Sequence, residues 1–428
     1  MSNVTEKAPR VLVIASTPFS HTANNGKTLA SFFEGYPRDC VAQFTYSGGD
    51  CNADVCDNYY IFTKDDVLAG RQGAAYRAAE IVKPQVADAP AKPSFLRRIF
   101  HAFSQARNPV AVYLKNRVWD KAVYTAAYAW IEEFQPDVVF FQGFSMVYGY
   151  DFALGVCEKY HLPLILELTD DYTHRLYPLS VVESINNRRY MAQFKKAIAM
   201  AHKTIVISDV MKEEYQRRFG GDMDVMMNAV QTADVPTDMV RDATDYVYAG
   251  NLLLNRWKVL RNLGRALMQT NPEVRLNIYT PDIPPQKILK ALSKVPAIHY
   301  GGRLTKSELE QRLSTCGYVV HVEAFDGKNR KITRLSMSTK ISEYVASGAK
   351  VLAVGPADVA SMRCLSDHRL GLCIHNPSVA GMAAALRTED SQTDYGANAR
   401  EFLLHCASES NAQRVRTYVQ NAILNHKG

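Results

Sequence analysis

One predicted helix carries two charged residues at a spacing suited to binding a nucleotide. Lys340 and Glu343 lie three residues apart within SMSTKISEYVASGAKVLAVG (336–355), so they share one helix face. Ser338 or Thr339 is the predicted N-cap, which places Lys340 at the end of the helix that favours anions. Lys340 can then hold a phosphate while Glu343 holds a ribose diol. An exposed lysine–glutamate pair on a solvated helix is the alternative interpretation.

A second candidate phosphate site follows the apolar run YVYAG (246–250). Gly250 and Asn251 stand where this predicted strand ends, and a glycine there lets a ligand approach the backbone. Arg256 follows a few residues later, where its guanidinium can pair with two phosphate oxygens. A solvated first turn of a helix explains the same residues equally well.

A third loop, TPFSHTANNGKT (17–28), follows the first predicted strand. Asn25 and Gly26 precede a predicted helix, whose N-terminal amides favour anions. The loop is not a GxGxxG sequence, so a dinucleotide cofactor has little support. A plain strand-to-helix turn is the alternative.

The elements that must position these loops alternate between strands and helices in both halves of the chain. Near-continuous apolar runs such as VLVIAS (11–16) and YVVHVE (318–323) are each followed by a helical pattern, which is typical of parallel sheets covered on both faces. Ligands of such sheets bind beyond the carboxyl ends of the strands. The pattern predicts an α/β protein with two doubly wound Rossmann-like domains facing across a cleft. The predicted parts are a first domain at 1–230, a hinge or linker at 231–245, a second domain at 246–394, and closing helices at 395–428.

Three runs, in the expected order, resemble the group 1 glycosyltransferases with the GT-B fold. These runs are TIVISDVMKEEYQRRFGGDMDVMMNAV (204–230), YAGNLLLNRWKVL (248–260), and STKISEYVASGAKVLAVGP (338–356) preceded by HVEAFD (321–326). The resemblance is good from 204 to 356, moderate at the first strand and loop, and poor from 46 to 137. It implies transfer of a sugar from a nucleotide-diphosphate sugar to an acceptor, without a bound metal or cofactor. It also implies that the closing helices pack back toward the first domain.

The resemblance implies a role for each matching residue. Glu343 holds the ribose hydroxyls, while Arg256, Lys340 and the backbone amides near Ser338 and Thr339 take the diphosphate. The growing negative charge of the leaving group needs such stabilisation. The implied donor-binding residues are Gly250, Asn251, Arg256, Ser338, Thr339, Lys340, Glu343 and Gly355.

The sequence departs from the family pattern at one position. Many members have two glutamates separated by seven residues, and the earlier position is Leu335 here. Glu323 or Asp326, from the preceding loop, is therefore the candidate for the catalytic contact with the sugar. Most members retain the anomeric configuration, so retention is the expected stereochemistry.

On the acceptor side, the resemblance assigns the loop of Asn25 and Gly26 and the segment ELTDDYTHR (167–175). Asp170, Asp171 and His174 can contact acceptor hydroxyls, and Asp170 or His174 can act as a general base if the enzyme inverts. Capping of the next helix is the alternative role for these side chains.

Composition limits the class of protein. The chain has 428 residues, of which 47% are hydrophobic and 22% charged, as in ordinary soluble proteins. Its eight cysteines form no CxxC pair and its histidines no ligand cluster, so neither a metal site nor a disulfide framework is predicted. No stretch reaches the roughly 18–20 apolar residues of a membrane span, and MSNVTEKAPR (1–10) has no signal core. These features predict a cytoplasmic protein.

The formal charge of +7 is too mild to imply nucleic acid, but it is unevenly distributed. Residues 92–121 contain seven basic side chains and one acidic side chain. Phe95, Ile99 and Phe103 repeat there at helical spacing, so this helix either lies on an anionic bilayer at the inner face of the membrane or packs its apolar side chains into the core. Both interpretations stay open.

The combined prediction is a hexosyltransferase that uses a UDP- or GDP-linked sugar and a saccharide or lipid-linked acceptor in polysaccharide or glycolipid biosynthesis. Two alternatives remain: a nucleotide-sugar epimerase of similar fold, and a non-catalytic nucleotide-sugar binding protein.

Overall fold

The computed structural model describes residues 8–21, 24–49, 51–81, 108–175, 177–227, 241–388, 395–406 and 408–426. The chain divides into two compact units. Unit 1 consists of Met1–Ile207, Lys212–Met226 and Asn411–Gly428, and unit 2 consists of Ser208–Met211 and Met227–Ser410.

Unit 1 is built on an eight-stranded sheet within the described residues. Its strands are β1 (Val11–Ala15), β2 (Val41–Thr45), β3 (Asn58–Ile61), β4 (Ala74–Arg77), β5 (Val138–Gly143), β6 (Leu164–Leu168), β7 (Ala201–Val206) and β8 (Met223–Val225). The order is β4-β3-β2-β1-β5-β6-β7-β8, and the strands pair in parallel except for the edge strand β4. β1, β2, β5 and β6 are buried along their whole length, because helices cover both faces of the sheet.

Helices of 5–20 residues connect these strands. They are α1 (Asn24–Ser31), α2 (Lys64–Leu68), α3 (Pro109–Trp119), α4 (Thr125–Phe134), α5 (Val147–Tyr160), α6 (Val181–Met200) and α7 (Asp209–Phe219), whose first residues count with unit 2. Short 3₁₀ turns occur at Arg38–Cys40 and Ala78–Glu80. Strand order reverses on the two sides of β1, which is the point where ligands of such sheets bind.

Unit 2 is built on a six-stranded sheet within the described residues, all of whose pairs are parallel. Its strands are β9 (Asp242–Ala249), β10 (Arg275–Tyr279), β11 (Ile298–Gly302), β12 (Cys316–Val322), β13 (Lys350–Val354) and β14 (Gly371–Ile374). The order is β11-β10-β9-β12-β13-β14. The helices are α8 (Arg256–Thr270), α9 (Gln286–Leu292), α10 (Lys306–Thr315), α11 (Gly327–Thr333), α12 (Ile341–Ala346), α13 (Ala360–Asp367), α14 (Val379–Arg387) and α15 (Tyr395–His405). The predicted α/β architecture with two parallel-sheet Rossmann-like domains is confirmed.

The first strand of unit 2 is longer than its apolar run. β9 begins at Asp242, inside the interval 231–245 that the sequence analysis interprets as a linker; residues 228–240 lie outside the described part of the chain. The polar start of the strand is accommodated because Asp242 pairs with Arg275 at 3.1 Å and Asp245 pairs with Arg312 at 2.6 Å.

The last helix, α16 (Ser408–His426), packs mainly on unit 1. Its Val415 and Val419 belong to the apolar core on one face of that unit's sheet. Asp224, in β8, pairs with Arg414 at 3.0 Å and accepts a hydrogen bond from the Tyr418 hydroxyl. Burial raises the pKa of Asp224, but the hydrogen bonds from Tyr418 and Arg414 outweigh it and hold this pKa below its ordinary value.

We expect Asp224→Asn to loosen α16, because the substitution removes the negative charge that both partners contact. Amide hydrogen exchange at residues 411–426 should become about 3- to 10-fold faster at pH 7. Asp54→Asn is the matched control, since the Asp54 carboxylate in the same unit is 84% exposed. Unchanged protection of α16 in Asp224→Asn would show that apolar packing alone holds the helix.

Candidate functional site

The candidate site in unit 2 lies where adjacent strands β9 and β12 end. Gly250 follows β9 directly, Glu323 follows β12 directly, and α12 begins close by with Lys340 as its N-cap residue. Strands β9 and β12 pair in parallel, so their carboxyl ends meet at one edge of the sheet. This edge is where ligands of parallel sheets bind.

A buried ion pair joins the two strand ends. Nη2 of Arg256, the first residue of α8, lies 3.2 Å and 3.3 Å from the two carboxylate oxygens of Glu323. The Glu323 side chain is only 4% exposed, and burial raises its pKa despite the opposing charge of Arg256. Buried ion pairs are weak stabilisers because desolvation offsets their attraction. Such a pair at a strand end is therefore a candidate for a functional role.

His321 lies next to the ion pair of Arg256 and Glu323, near the end of β12. Its Nε2 is 3.1 Å from Ser361 Oγ and 3.5 Å from Glu323 Oε1. Burial, together with the charges of Arg256 and Lys340, lowers the pKa of His321 to about 3. The ring is therefore neutral at pH 7 and leaves Arg256 as the cation that faces Glu323.

Lys340 is the second cation of the site. Its ammonium donates to the backbone carbonyl of Ala249, which also accepts a 2.8 Å hydrogen bond from the Tyr344 hydroxyl. Burial lowers the pKa of Lys340, and the charge of Arg256 lowers it further, against the opposing effect of Glu343. Two partly desolvated cations are thus held close enough to repel each other, an arrangement that an anionic ligand would relieve.

Glu343 lies in the first turn of α12 and is exposed, on the helix face of Lys340. The helix starts later than predicted. Lys340 is the N-cap residue and no side chain caps the helix, so the prediction that Ser338 or Thr339 is the N-cap is wrong. The Ile341 amide donates to the Ser338 carbonyl at 3.2 Å, so Ser338 and Thr339 belong to a backbone turn before the helix.

Asp326 caps α11 and anchors the loop after β9. One carboxylate oxygen accepts from the Asn329 amide at 3.1 Å, and the other accepts from the side chains of Asn329 at 2.8 Å and Asn255 at 3.0 Å. Burial raises the pKa of Asp326, but these hydrogen bonds outweigh it and the pKa stays below its ordinary value. Asp326 is therefore ionised, and its side chain remains at the surface.

The loop after β9 holds Arg256 at a cost in backbone strain. Leu254 and Asn255 adopt left-handed φ angles of 53° and 61°, which non-glycine residues rarely do. The Asn251 side-chain oxygen accepts from the Leu253 amide at 3.1 Å and from Arg256 Nη1 at 3.3 Å. Asn251 thus ties the loop to the guanidinium.

Gly250 and Gly355, the two glycines of the predicted donor site, lie where a side chain would collide with a neighbouring side chain. A Cβ at Gly250 would lie 2.7 Å from the Tyr248 hydroxyl, which donates to the Asn251 carbonyl. A Cβ at Gly355 would lie 2.9 Å from the Cβ of Glu323. Gly355 therefore gives Glu323 the room to sit against the end of β13.

Leu335, the position of the missing acid, is fully buried. Its carbonyl accepts a 2.9 Å hydrogen bond from Ser208 Oγ, which also caps the start of α7. The backbone here is held by this hydrogen bond, and the leucine side chain is not accessible to solvent.

In unit 1, the predicted acceptor residues lie at the carboxyl edge of the sheet, in the first turn of α1 and in the loop after β6. The prediction that Asn25 and Gly26 precede a helix is wrong, because α1 already begins at Asn24. Gly26 lies in the first turn of α1, where a Cβ would be 2.3 Å from the Pro18 carbonyl oxygen, so α1 abuts the loop after β1. Asn25 precedes it and is exposed. Asp170 and His174 lie half-buried in the loop after β6.

Asp171 has a role within unit 1. Its Oδ1 accepts from the Thr173 amide at 2.9 Å, the Thr173 hydroxyl at 2.7 Å and the Tyr215 hydroxyl at 2.8 Å. The side chain is 6% exposed. These hydrogen bonds close the turn after β6 and hold it against α7. The next helix, α6, is capped by Ser180, so the alternative that Asp171 caps that helix is wrong.

The sequence analysis includes Glu167 in the segment 167–175 but does not single it out, and it does not single out His321. Glu167 is the penultimate residue of β6 and is 2% exposed; within the described part of the chain it accepts one hydrogen bond, from Gln142 Nε2 at 2.9 Å. Burial raises the pKa of Glu167 to about 7, with Gln142 opposing the shift. The sequence contains a sign of this buried carboxylate, because Glu167 interrupts the apolar run PLILEL (163–168).

Two searches of the described residues are negative. No group of three or more histidine, cysteine, aspartate or glutamate side chains in the described ranges is arranged to hold a metal ion. Among the helices that the structure describes, none is both long and apolar enough to cross a membrane.

Comparison with known proteins gives one family match and many structural matches. Residues 78–234, less than half of the chain, match the model of the family described as Glycosyltransferase Family 4. No curated protein sequence matches the chain.

The structural matches extend over both units. A sucrose-phosphate synthase from Thermosynechococcus elongatus is 12% identical with a TM-score of 0.60, over 97% of this chain and 100% of that one. Anabaena HepE, in complex with UDP and glucose, is 13% identical with a TM-score of 0.57, over 96% of this chain and 100% of that one. WaaG, a glycosyltransferase involved in lipopolysaccharide biosynthesis, is 12% identical with a TM-score of 0.52, over 98% and 100%. At these identities the likeness shows the fold, which is the GT-B arrangement of two Rossmann-like domains.

We expect Glu167→Gln to stabilise unit 1 above neutral pH and to have little effect in acid. Because the folded state raises the pKa of this carboxyl, ionisation costs stability as pH rises from about 4.3 to about 7. Urea unfolding at pH 8 should show Glu167→Gln more stable than the wild type by on the order of 3 kcal/mol. At pH 4.5 the two should be nearly equal.

Glu158→Gln, which changes an exposed carboxylate of the same unit, is the control and should show no such pH trend. A Glu167→Gln difference of the same size at pH 4.5 and pH 8 would mean that Glu167 is ionised in the folded protein throughout this range.

Proposed function

We propose that this chain is a glycosyltransferase of the GT-B type that transfers a hexose from a UDP- or GDP-linked sugar to a saccharide or lipid-linked acceptor in polysaccharide or glycolipid biosynthesis. The match of residues 78–234 to a glycosyltransferase family and the GT-B fold support the reaction class. The HepE structure with UDP and glucose supports a UDP-linked hexose as the donor.

The observation that carries the proposal is the pair of cations at the carboxyl edge of unit 2. Arg256 and Lys340 are partly desolvated and repel each other; Glu323 faces Arg256, and the exposed Glu343 acts on Lys340. A nucleoside diphosphate would bring negative charge to both cations at once. In the transfer step, the same cations stabilise the charge that grows on the leaving diphosphate. These side chains, together with the backbone amides near Ser338 and Thr339, carry the diphosphate, so the proposed mechanism uses no metal or other cofactor.

Further residues complete the proposed donor site. Glu343 is exposed one turn into α12, so its carboxylate can accept hydrogen bonds from both ribose hydroxyls. Ser338 and Thr339, in the turn before α12, offer backbone amides near Lys340. Gly250 and Gly355 leave room at this edge of the sheet for the side chains of Tyr248 and Glu323.

Asp326 is the better of the two candidates for the acid that Leu335 replaces. Glu323 is buried and bound to Arg256, so we assign it the positioning of that guanidinium. Asp326 is ionised and lies at the surface, within hydrogen-bond reach of the donor loop at Asn255. A carboxylate there can contact a sugar hydroxyl or stabilise positive charge on the sugar in a retaining transfer.

Unit 1 provides the acceptor residues in this proposal. Asp170 and His174 in the loop after β6 and Asn25 at the start of α1 border the carboxyl edge of its sheet. Asp171 supports that loop through its hydrogen bonds to Thr173 and Tyr215. A cytoplasmic location completes the proposal, and it is supported by the eight cysteines, all of which are free.

Nucleotide binding tests the donor site. We expect UDP or GDP at a hundred times its dissociation constant to stabilise the protein by about 2.7 kcal/mol, seen as a rise in melting temperature. Glu343→Ala should abolish the shift, because the ribose loses its carboxylate partner. Glu310→Ala removes an exposed glutamate of the same unit and should keep the shift. Binding that is equal in wild type and Glu343→Ala would overturn the assignment of α12.

Turnover with a labelled sugar tests the reaction itself. We expect transfer to an acceptor with release of the nucleoside diphosphate, and NMR of the product should show the anomeric configuration of the donor. The buried Leu335 in place of an acid favours non-catalytic binding as the second candidate. Tight donor binding with no transfer to any acceptor would support that candidate, whereas sugar isomerisation without an acceptor would identify an epimerase.

A further inference from the structure

Exposed apolar side chains concentrate on one part of unit 1. Among the described residues, 14 large hydrophobic side chains are exposed, and eight of these lie within 110–123 and 177–185. Isolated exposed hydrophobics are normal, but contiguous patches mark interaction surfaces. We call the following six side chains the α3/α6 face: Val110, Tyr113, Leu114, Leu179, Val181 and Ile185.

The two helices present this face together. On α3, Val110, Tyr113 and Leu114 follow helical spacing, while Asn116 and Trp119 on the other side are buried. Val181 and Ile185 lie one turn apart on α6, and Leu179, which is 98% exposed, directly precedes the helix.

A hydrogen bond joins the two halves of the face. Asn186 Nδ2 donates to the Pro109 carbonyl at 2.8 Å, so the start of α3 lies against α6 next to Ile185. The exposed apolar side chains therefore lie on two helices that are adjacent at this point.

Basic side chains continue the same helix faces. Arg117 lies two turns beyond Val110, and Arg188 lies two turns beyond Val181; both are exposed. Across 108–123 and 175–189 there are six basic residues and two acidic residues. Both acids are already paired, Asp120 with Arg189 at 2.7 Å and with Arg117 at 3.3 Å, and Glu183 with Arg175 at 3.7 Å. Arg189 also pairs with Asp151 at 2.9 Å, so three acids offset part of the charge of the six basic residues. The surface is thus apolar in the middle and positively charged overall.

We propose that the α3/α6 face docks on an anionic lipid bilayer. Its apolar side chains enter the boundary between headgroups and acyl chains, while its arginines and lysines meet the lipid phosphates. A purely apolar partner would leave the excess charge unmatched, whereas an anionic bilayer matches both features. This surface differs from the helix that the sequence predicts, since Phe95, Ile99 and Phe103 lie outside the described residues. The two overlap only at 108–121.

Vesicle flotation tests the proposal without donor or acceptor, so its outcome is independent of the proposed reaction. The full-length protein should float with vesicles of phosphatidylcholine and phosphatidylglycerol at 0.1 M NaCl and stay unbound with phosphatidylcholine alone. Leu114→Glu combined with Ile185→Glu should weaken binding to the anionic vesicles about tenfold or more. Both positions are more than half exposed, so the variant should fold normally, as thermal unfolding checks.

Matched variants separate this face from the rest of unit 1. Leu424→Glu changes a leucine that is 70% exposed on α16 and should bind vesicles like the wild type. Arg117→Gln combined with Arg188→Gln should lower the affinity and its dependence on salt, whereas Lys64→Gln on α2 should change neither.

Three outcomes would overturn the proposal. These are absence of wild-type binding to anionic vesicles, equal binding by wild type and the Leu114/Ile185 variant, or binding that ignores lipid charge. A dimer in sedimentation equilibrium that the same double variant dissociates, without vesicle binding, would instead assign the face to a second copy of this chain.

Discussion

Desolvation of charge at the carboxyl edge of unit 2 constrains the rest of the candidate site. Arg256, Glu323 and Lys340 are largely removed from water where β9 and β12 end. Taking these charges out of water is costly, and the attraction between Arg256 and Glu323 offsets part of that cost, while the exposed Glu343 acts on Lys340. Because such an arrangement contributes little stability, we explain its presence by the anionic ligand that we propose for it.

The backbone around these charges is shaped to hold them. The left-handed residues Leu254 and Asn255 turn the chain so that α8 begins with Arg256 pointing at Glu323. Asp326 holds that turn through Asn255, and Gly355 leaves room beside Glu323. The strained loop and the lack of a side chain at Gly355 thus both help to position the ion pair of Arg256 and Glu323. Packing of α8 against the sheet, through Leu260 and Leu263, supplies the stability that this geometry requires.

Unit 1 also contains a buried carboxylate, Glu167, whose partner Gln142 is uncharged. Glu167 lies at the end of β6 with one hydrogen bond from Gln142, and burial raises its pKa toward neutrality. Its neighbour Asp171 is satisfied by three hydrogen bonds and forms the turn after the strand. Asp171 and Glu167 are four residues apart and have different roles. Asp171 supports the fold, whereas the pKa of Glu167 is raised to near neutral pH. Both side chains are buried, so the number of hydrogen bonds that each accepts from the described residues is what distinguishes them.

The sequence by itself determined the two parallel sheets, because long apolar runs such as β1, β5 and β12 are buried by any helices that cover them. It did not predict β3, β4, β8 or β11, which are short strands that depend on pairing with a neighbour. From helical spacing, the sequence predicted that Lys340 and Glu343 share one helix face. Only the tertiary structure brought Arg256 to Glu323 and Lys340 to Ala249. Those contacts join residues 67 and 91 positions apart, and they form because parallel pairing brings the ends of β9 and β12 to one edge.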